Sequence, residues 1–193
     1  MNIVGLFGSP RRQGNSATVA RHFLRRAEQQ GAVIRSYYLN DLTYRGCQAC
    51  DACKTSHDCC VLRDDLTPVL AAVFEADLVV MASPVYYADV SAQLKGFIDR
   101  SYSYLLPGYI AKDHPNRLAR RKPLVFILTQ GHRDPEMFAD ILPRYRDIFY
   151  WTGFAETHPL RVVDVYKPGD VDSRGEMLAA AEQLADRLLR DPE

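Results

Sequence analysis

The chain has 193 residues, the size of one ordinary domain, with 47% apolar and 25% charged side chains, a balance that excludes a disordered chain. Lysine plus arginine equals aspartate plus glutamate, 24 each, so no net field draws the protein to nucleic acid or a membrane surface, and neither is expected as a partner. Asn2 to Phe7 is too short an apolar run for a secretion signal, and no segment approaches the roughly 20 apolar residues that span a bilayer. A cytoplasmic protein is therefore expected, in which the five cysteines are reduced and free for metal, cluster or redox chemistry.

In chain order, Asn2 to Phe7 is apolar after its first residue, as in a parallel strand covered on both faces. Ser16 to Gln30 carries Val19, Phe23, Leu24 and Ala27 at helical spacing and stops at Gly31, a natural C-cap. Val33 to Leu39 is the second strand, and a cysteine-rich loop follows from Gly46 to Cys60. Asp64 to Glu75 reads as a helix opened by two acids near its positive end, and Asp77 to Met81 as the third strand. Ser91 to Tyr104 is predicted as a helix, Pro123 to Leu128 as the fourth strand and Pro135 to Trp151 as another helix. A fifth strand lies within Ala155 to Val165, and Ser173 to Arg190 is an amphipathic closing helix. Five strands alternating with five helices, without a repeat or linker, predict a single α/β domain over residues 1–193, with a doubly wound parallel sheet and helices on both faces. Such sheets bind ligands beyond the C-terminal ends of their strands, so function is expected in the loops after strands one, three and four.

The first of these loops reads Gly8-Ser9-Pro10-Arg11-Arg12-Gln13-Gly14-Asn15-Ser16. Small residues let the backbone wrap an anion, hydroxyls and amides donate hydrogen bonds, and the helix N-terminus adds positive potential. Arg11 adds a charge-assisted contact. The loop lacks both the spaced glycines of a dinucleotide fingerprint and the Gly-Lys-Ser/Thr ending of a nucleotide-triphosphate loop, so it suits one phosphate monoester. Read as structure alone, it is a polar turn with Asn15 or Ser16 as helix N-cap. The second loop, Ser83 to Ser91, is a proline-stiffened turn with tyrosines that suits the edge of a flat heterocycle, or else a plain strand-to-helix turn. The third, Thr129-Gln130-Gly131-His132, offers another polar edge, with His132 the one histidine that has a candidate role and His22 expected on a helix surface.

Through Gly8 to Ser16, through SPVYYADVSAQLKGFIDR from Ser83 to Arg100, and through the cysteine loop running into Asp64-Asp65-Leu66, the sequence resembles a known family over nearly its whole length. It is similar to the NADPH-dependent FMN reductases of the flavodoxin-like superfamily, and especially to the iron-sulfur flavoproteins among them. The resemblance implies a flavodoxin-like, five-stranded sheet of order 2-1-3-4-5 that binds FMN. It implies that Ser9, Arg11, Asn15 and Ser16, with Gln13 and Gly14 in the same loop, hold the FMN phosphate. Pro84, Val85, Tyr86 and Tyr87, with Thr129, Gln130 and Gly131, would hold the isoalloxazine ring. NAD(P)H is the implied co-substrate, with electrons passing to a small-molecule or protein acceptor, and a homodimer or homotetramer is implied as the assembly. Because the cofactor carries this chemistry, no catalytic side chain is assigned.

The cysteine loop reads Cys47-Gln48-Ala49-Cys50-Asp51-Ala52-Cys53, then Cys59-Cys60. Three thiolates separated by two residues each suit adjacent corners of a [4Fe–4S] cluster, with a fourth cysteine further on. Zinc on four thiols, or on His57 and three of them, fits the same spacing, and a metal-free loop of reduced or cross-linking thiols is the third reading. In the iron-sulfur flavoproteins the last ligand precedes an apolar-x-Asp-Asp segment, so the resemblance selects Cys60 after Cys47, Cys50 and Cys53 and leaves Cys59 as an extra thiol. Three functions follow: an NAD(P)H-dependent flavin oxidoreductase, favoured here; a carrier of electrons between proteins; and a cysteine-based redox or metal sensor. The basic run Arg117 to Lys122 is either a contact for the extra phosphate of NADPH or a solvated approach to the fourth strand. Tyr102 to Tyr109 is expected over the flavin or against another subunit, and Trp151 and Phe154 are expected in the core.

Overall fold

The computed structural model describes residues 1–118 and 122–190. Its sheet contains β1 (Asn2–Phe7), β2 (Val33–Tyr38), β3 (Leu78–Tyr86), a short β4 (Asp89–Val90), β5 (Lys122–Thr129) and β6 (Phe154–Val162). The five long strands are parallel and lie in the order β2-β1-β3-β5-β6, while β4 runs antiparallel to the end of β3. Without β4 this is the expected flavodoxin-like order, and the strand order reverses between β1 and β3, which is where such folds open a crevice.

Alternation along the strands explains the two layers of helices. Ile3 and Phe7, Leu78 and Val80, and Val125 and Ile127 face α1 (Asn15–Gln29) and α6 (Gly175–Arg190), where they meet Val19, Phe23, Ala181 and Leu184. Their neighbours Val4, Leu6, Val79, Met81, Leu124 and Phe126 face the other way. There they meet Leu70 and Val73 of α3 (Leu66–Glu75), Leu94 and Phe97 of α4 (Ala92–Arg100), and Tyr145 and Phe149 of α5 (Ile141–Trp151). Both faces of each central strand are therefore apolar, and each fully buried aromatic contributes on the order of 2 kcal/mol. The first layer is also tied by polar contacts: Arg26 pairs with Asp186 at 2.6 Å, and His22, expected on the surface, is half-buried against Glu182 at 2.7 Å.

Several boundaries differ from expectation for identifiable reasons. β3 continues to Tyr86 because its end folds into a hairpin, pairing Val85 with Val90 and Tyr86 with Asp89. Tyr87 and Ala88, the two turn residues, take φ of 47° and 62°, the left-handed geometry of the tight turns that match strand twist. α3 begins at Leu66, because the Asp64 carboxylate accepts the Leu66 N–H at 3.1 Å and so sits ahead of the helix. α4 gives way at Ser101 to a 3₁₀ turn, and α5 starts only at Ile141, after Phe138 has passed through φ 67°. A further one-turn helix, α2 (Ala52–Thr55), lies inside the cysteine loop.

The basic run divides. Ala119, Arg120 and Arg121 lie outside the described residues, Arg117 turns toward the cysteine loop, and Lys122 is buried with its ammonium donating to Phe74 O and Ala76 O at the end of α3. Among the described residues no helix is long and apolar enough to cross a membrane.

Candidate functional site

The C-terminal ends of the strands surround a cavity of about 680 Å3. Ser9, Arg11, Gly14, Asn15 and Ser16 come to it from the loop after β1. Pro84, Val85 and Tyr86 come from the end of β3, and Thr129, Gln130, Gly131 and His132 from the end of β5. Phe138, Val165 and Tyr166 complete the wall; the strand-end rule would have found the last two had it been applied to the fifth parallel strand. Gln13 is exposed and stays off the wall, and Tyr87, expected beside Tyr86, stands fully exposed at the hairpin tip because the tight turn directs it outward.

The loop after β1 is drawn in tightly. Gly8 N donates to Ala82 O at 2.8 Å, joining the loop to β3, and Gly14 N donates to Arg11 O at 2.9 Å. The N-cap of α1 is Gly14, in place of the expected Asn15 or Ser16, and no side chain caps it. A Cβ at Gly14 would lie 2.6 Å from Ser9 Oγ and 3.1 Å from Arg11 O, so a side chain there would push the Ser9 hydroxyl aside. Asn15 braces a distant segment instead: its side chain donates to Lys167 O at 3.0 Å and accepts from Val171 N at 3.2 Å, holding the chain after β6. Ser16 Oγ is buried and has no hydrogen-bond partner. It lies in the first turn of α1, where the helix leaves its leading N–H groups unbonded. A buried unpaired hydroxyl costs about 1–3 kcal/mol, and here it stands at the positive end of a helix with Arg11 on the same wall. The arrangement fits a bound anion.

The remaining walls are built by polar contacts. Ser91 Oγ donates to Gly8 O at 2.7 Å, and Ser91 N donates to Ser83 Oγ at 2.8 Å, knitting the loops after β1 and β3. Gln130 spends its whole side chain on support: Oε1 accepts from Arg161 at 2.6 Å, and Nε2 donates to His132 O and Asp134 O, each at 3.0 Å. Tyr166 lies over Gly131, where a Cβ would come within 2.9 Å of its ring. Asp170 accepts from Tyr166 N at 2.8 Å and Lys167 N at 2.6 Å, and these two bonds hold its carboxyl below the usual carboxylate range. His132 has its Nδ1 engaged by the Asp134 N–H at 3.2 Å.

A second cavity, of about 590 Å3, lies between α4, α5 and the cysteine loop. Cys47, Cys50, Cys53 and Cys60 all line it; Cys59 does not, and lines a hollow beside Phe74 that Cys60 also borders. All five thiols are free, and among the described residues no three His, Cys, Asp or Glu side chains stand close enough to hold a single metal ion. Ala49 and Asp51, on either side of Cys50, take φ of 50° and 53°, a strained path that turns the chain sharply between thiols. The opposite wall is aromatic. Tyr102 and Tyr109, expected over a flavin or a subunit contact, line this cavity instead, and so does Trp151, expected in the core but 45% exposed with its ring 6.1 Å from Tyr109. Phe154 is in the core.

Cations surround the cysteines. Lys54 Nζ lies 3.4 Å from Cys53 Sγ and donates to Tyr102 O at 2.7 Å and Leu105 O at 2.9 Å, and burial pulls its pKa below that of an ordinary lysine. Arg117 donates to Cys53 O at 2.9 Å. Arg100, a residue that sequence reasoning did not single out, has a fully buried side chain on the cavity wall and pairs with Asp64 at 2.7 Å.

Comparison with known proteins agrees with this geometry. A family model for NADPH-dependent FMN reductases matches residues 1–151. An iron-sulfur flavoprotein of Archaeoglobus fulgidus is 38% identical over 104 residues, covering 54% of this chain and 47% of that protein. One from Methanocaldococcus jannaschii is 37% identical over 101 residues, covering 52% of each. The chain thus spans about half the length of the curated relatives it matches. Among solved structures, the NAD(P)H:quinone oxidoreductase from Methanothermobacter marburgensis superposes with TM-score 0.75 at 21% identity, covering 99% of this chain and 98% of that one. An FMN-dependent NADH-azoreductase from Bacillus anthracis, in complex with FMN, superposes with TM-score 0.72 at 14% identity, covering 97% and 98%. These structural likenesses show the fold.

Proposed function

The chain belongs to the NADPH-dependent FMN reductase family, and from that premise we propose that it binds FMN at the switch point of its sheet and moves electrons from NAD(P)H to a small-molecule or protein acceptor. The observation that carries this reading is Ser16 Oγ, buried and unpartnered at an uncapped helix N-terminus inside a cavity of about 680 Å3. A phosphate monoester there would accept from Ser16, from the first-turn N–H groups and from Arg11, with Ser9 and Gly14 shaping the cradle. Asn15 would act from behind, by fixing the segment that carries Tyr166. Pro84, Val85 and Tyr86 on one side, and Thr129, Gln130 and Gly131 on the other, would hold the ring, with Gln130 offering backbone because its side chain is engaged. FMN would supply hydride acceptance from NAD(P)H and onward release of electrons. The protein's part is to orient the ring and exclude water from it. Tyr87 and Tyr166, both exposed, stand at or near the rim, and this supports a homodimer or homotetramer in which a neighbour covers the opening.

The cysteine pocket extends the proposal. Cys47, Cys50, Cys53 and Cys60 would hold a [4Fe–4S] cluster, which supplies one-electron transfer when bound. Four thiols on one cavity, three of them spaced two residues apart, supply the donor set and the opening spacing that such a cubane needs. Lys54 would offset part of the negative charge of such a centre. Free thiols throughout support a reducing compartment, the cytoplasm, as its location.

The test is anaerobic purification, then a visible spectrum with FMN, iron and sulfide analysis, and steady-state oxidation of NADPH and NADH with a quinone acceptor. Bound FMN with turnover supports the enzyme. FMN without turnover on either nicotinamide replaces it with an electron carrier. A chain that takes up no FMN after soaking overturns the reading.

A further inference from the structure

We propose that Arg100 is the positioning residue of the cysteine loop: one buried guanidinium holds both feet of the loop together and so keeps Cys47, Cys50, Cys53 and Cys60 on one cavity. The inference concerns the bare protein and stands whether or not a metal centre fills the pocket.

Arginine is seldom fully buried, and a charge taken out of water is costly unless it is paired and hydrogen-bonded. The Arg100 side chain is 0% exposed. Its Nη1 donates to Asp64 Oδ2 at 2.7 Å and to Arg45 O at 3.0 Å, and its Nη2 reaches Leu62 O at 3.4 Å. Arg45 lies just before Cys47, and Leu62 and Asp64 lie just after Cys60. One side chain from the last turn of α4 therefore grips the chain on both sides of the cysteine segment.

The feet are also tied to each other. Asp64 Oδ2 accepts from Arg45 N at 3.2 Å, Asp65 Oδ2 accepts from Thr43 N at 2.8 Å, and Asp65 N donates to Thr43 O at 3.3 Å. Arg100 completes this closure from beneath, and Asp64 supplies the counter-charge that makes the burial tolerable. The guanidinium bonds of Arg100 hold Asp64 below the usual carboxylate range against the opposing effect of its own burial. A lysine offers one point charge in place of the planar fork and cannot serve three acceptors in this spread.

One donor is left over. Arg100 Nε is buried without a hydrogen-bond partner, and the residue forms part of the wall that the four cysteines share.

The experiment compares the parent with Arg100→Gln, Arg100→Lys and Asp64→Asn in metal-free protein. It follows maleimide labelling of the half-buried Cys53 and Cys60, with the exposed Cys47, Cys50 and Cys59 as the reference, and limited proteolysis within residues 46–61, with the thermal midpoint as the control for global folding. The loop opens more often without the clamp, so labelling and cleavage should rise about tenfold in Arg100→Gln and less in Arg100→Lys and Asp64→Asn, as expected for local opening. The thermal midpoint should fall least in Arg100→Lys and most in Asp64→Asn, which leaves the buried guanidinium without its counter-charge. Unchanged labelling and cleavage in a folded Arg100→Gln protein overturn the proposal. Should that variant not fold, Arg100→Lys decides, and parental rates there overturn it equally. A parent that binds no FMN would sink the proposed function while leaving the labelling result intact, since thiol access needs no flavin.

Discussion

The Tyr145 hydroxyl donates to Asp89 Oδ1 at 2.8 Å and thereby joins the two cavities through one bond. Tyr145 lines the cysteine pocket, and Asp89 pairs in the hairpin with Tyr86, which lines the cavity at the strand ends. Arg144 adds to the tie by donating to Ala88 O at 2.9 Å, so α5 grips the hairpin at its strained turn. Burial first, and then Asp89, raises the Tyr145 pKa well above that of an ordinary tyrosine. Since the folded-state value is the higher one, the contribution is complete below about pH 10 and is lost as pH climbs from there toward the folded-state value. Tyr145→Phe should cost about 1 kcal/mol at neutral pH and flatten the loss of stability above about pH 10, read from urea midpoints across that range.

Ser16→Ala should move two measurements in opposite directions. Without ligand, the substitution removes a buried hydroxyl that has no partner, so the apoprotein should become more stable by up to about 1 kcal/mol. With FMN, it removes a donor to a charged phosphate, so affinity should fall by about tenfold or more. Denaturant unfolding and fluorescence titration with FMN check the two halves. A serine that merely fills space would leave the affinity unchanged.

The same contrast explains how much of this molecule is legible in its sequence. Parallel strands covered on both faces need apolar side chains at consecutive positions, so Ile3 to Phe7 and Leu124 to Leu128 announce themselves. The loops after β1, β3 and β5 could be located because strand ends are where these sheets bind ligands. What a side chain does within a loop is decided by distant partners and leaves no local trace. Asn15 reads as a cap or an anion ligand, yet its partners are Lys167 and Val171. Tyr87 reads like Tyr86, but a two-residue turn that needs positive φ sends it to solvent. Arg100 reads as the basic last turn of an amphipathic helix, and its burial depends on Asp64 and on two carbonyls, one from each foot of the cysteine loop.

Asp170 offers a test at the acid end. Its carboxyl lies below the ordinary range because it accepts the N–H groups of Tyr166 and Lys167, so its contribution is full above about pH 4 and is lost as pH falls through the lowered folded-state value. Tyr166 forms part of the wall of the strand-end cavity proposed to hold FMN, so loosening its segment should weaken FMN binding without unfolding the sheet. Asp170→Ala should bind FMN more weakly already at pH 7. Equal affinity in variant and parent would remove Tyr166 from the binding wall.

The paired cysteines give the sharpest separation between neighbouring residues. Cys60 lines the cavity of Cys47, Cys50 and Cys53 as well as the hollow beside Phe74, whereas Cys59, one residue earlier, lines that hollow and not the shared cavity. A cluster on the shared cavity therefore needs Cys60 and ignores Cys59. Replacing Cys47, Cys50, Cys53 or Cys60 singly by alanine should abolish most iron and sulfide while FMN stays bound, because the cofactor cavity contains none of these residues. Cys59→Ala should keep parental iron, sulfide and visible spectrum. Loss of iron in Cys59→Ala with retention in Cys60→Ala would reverse the assignment, and the loop would then have to turn Cys59 inward when it takes up its metal. Zinc bound by the parent in place of iron, released by the same substitutions, would keep the thiol set and change the centre it holds.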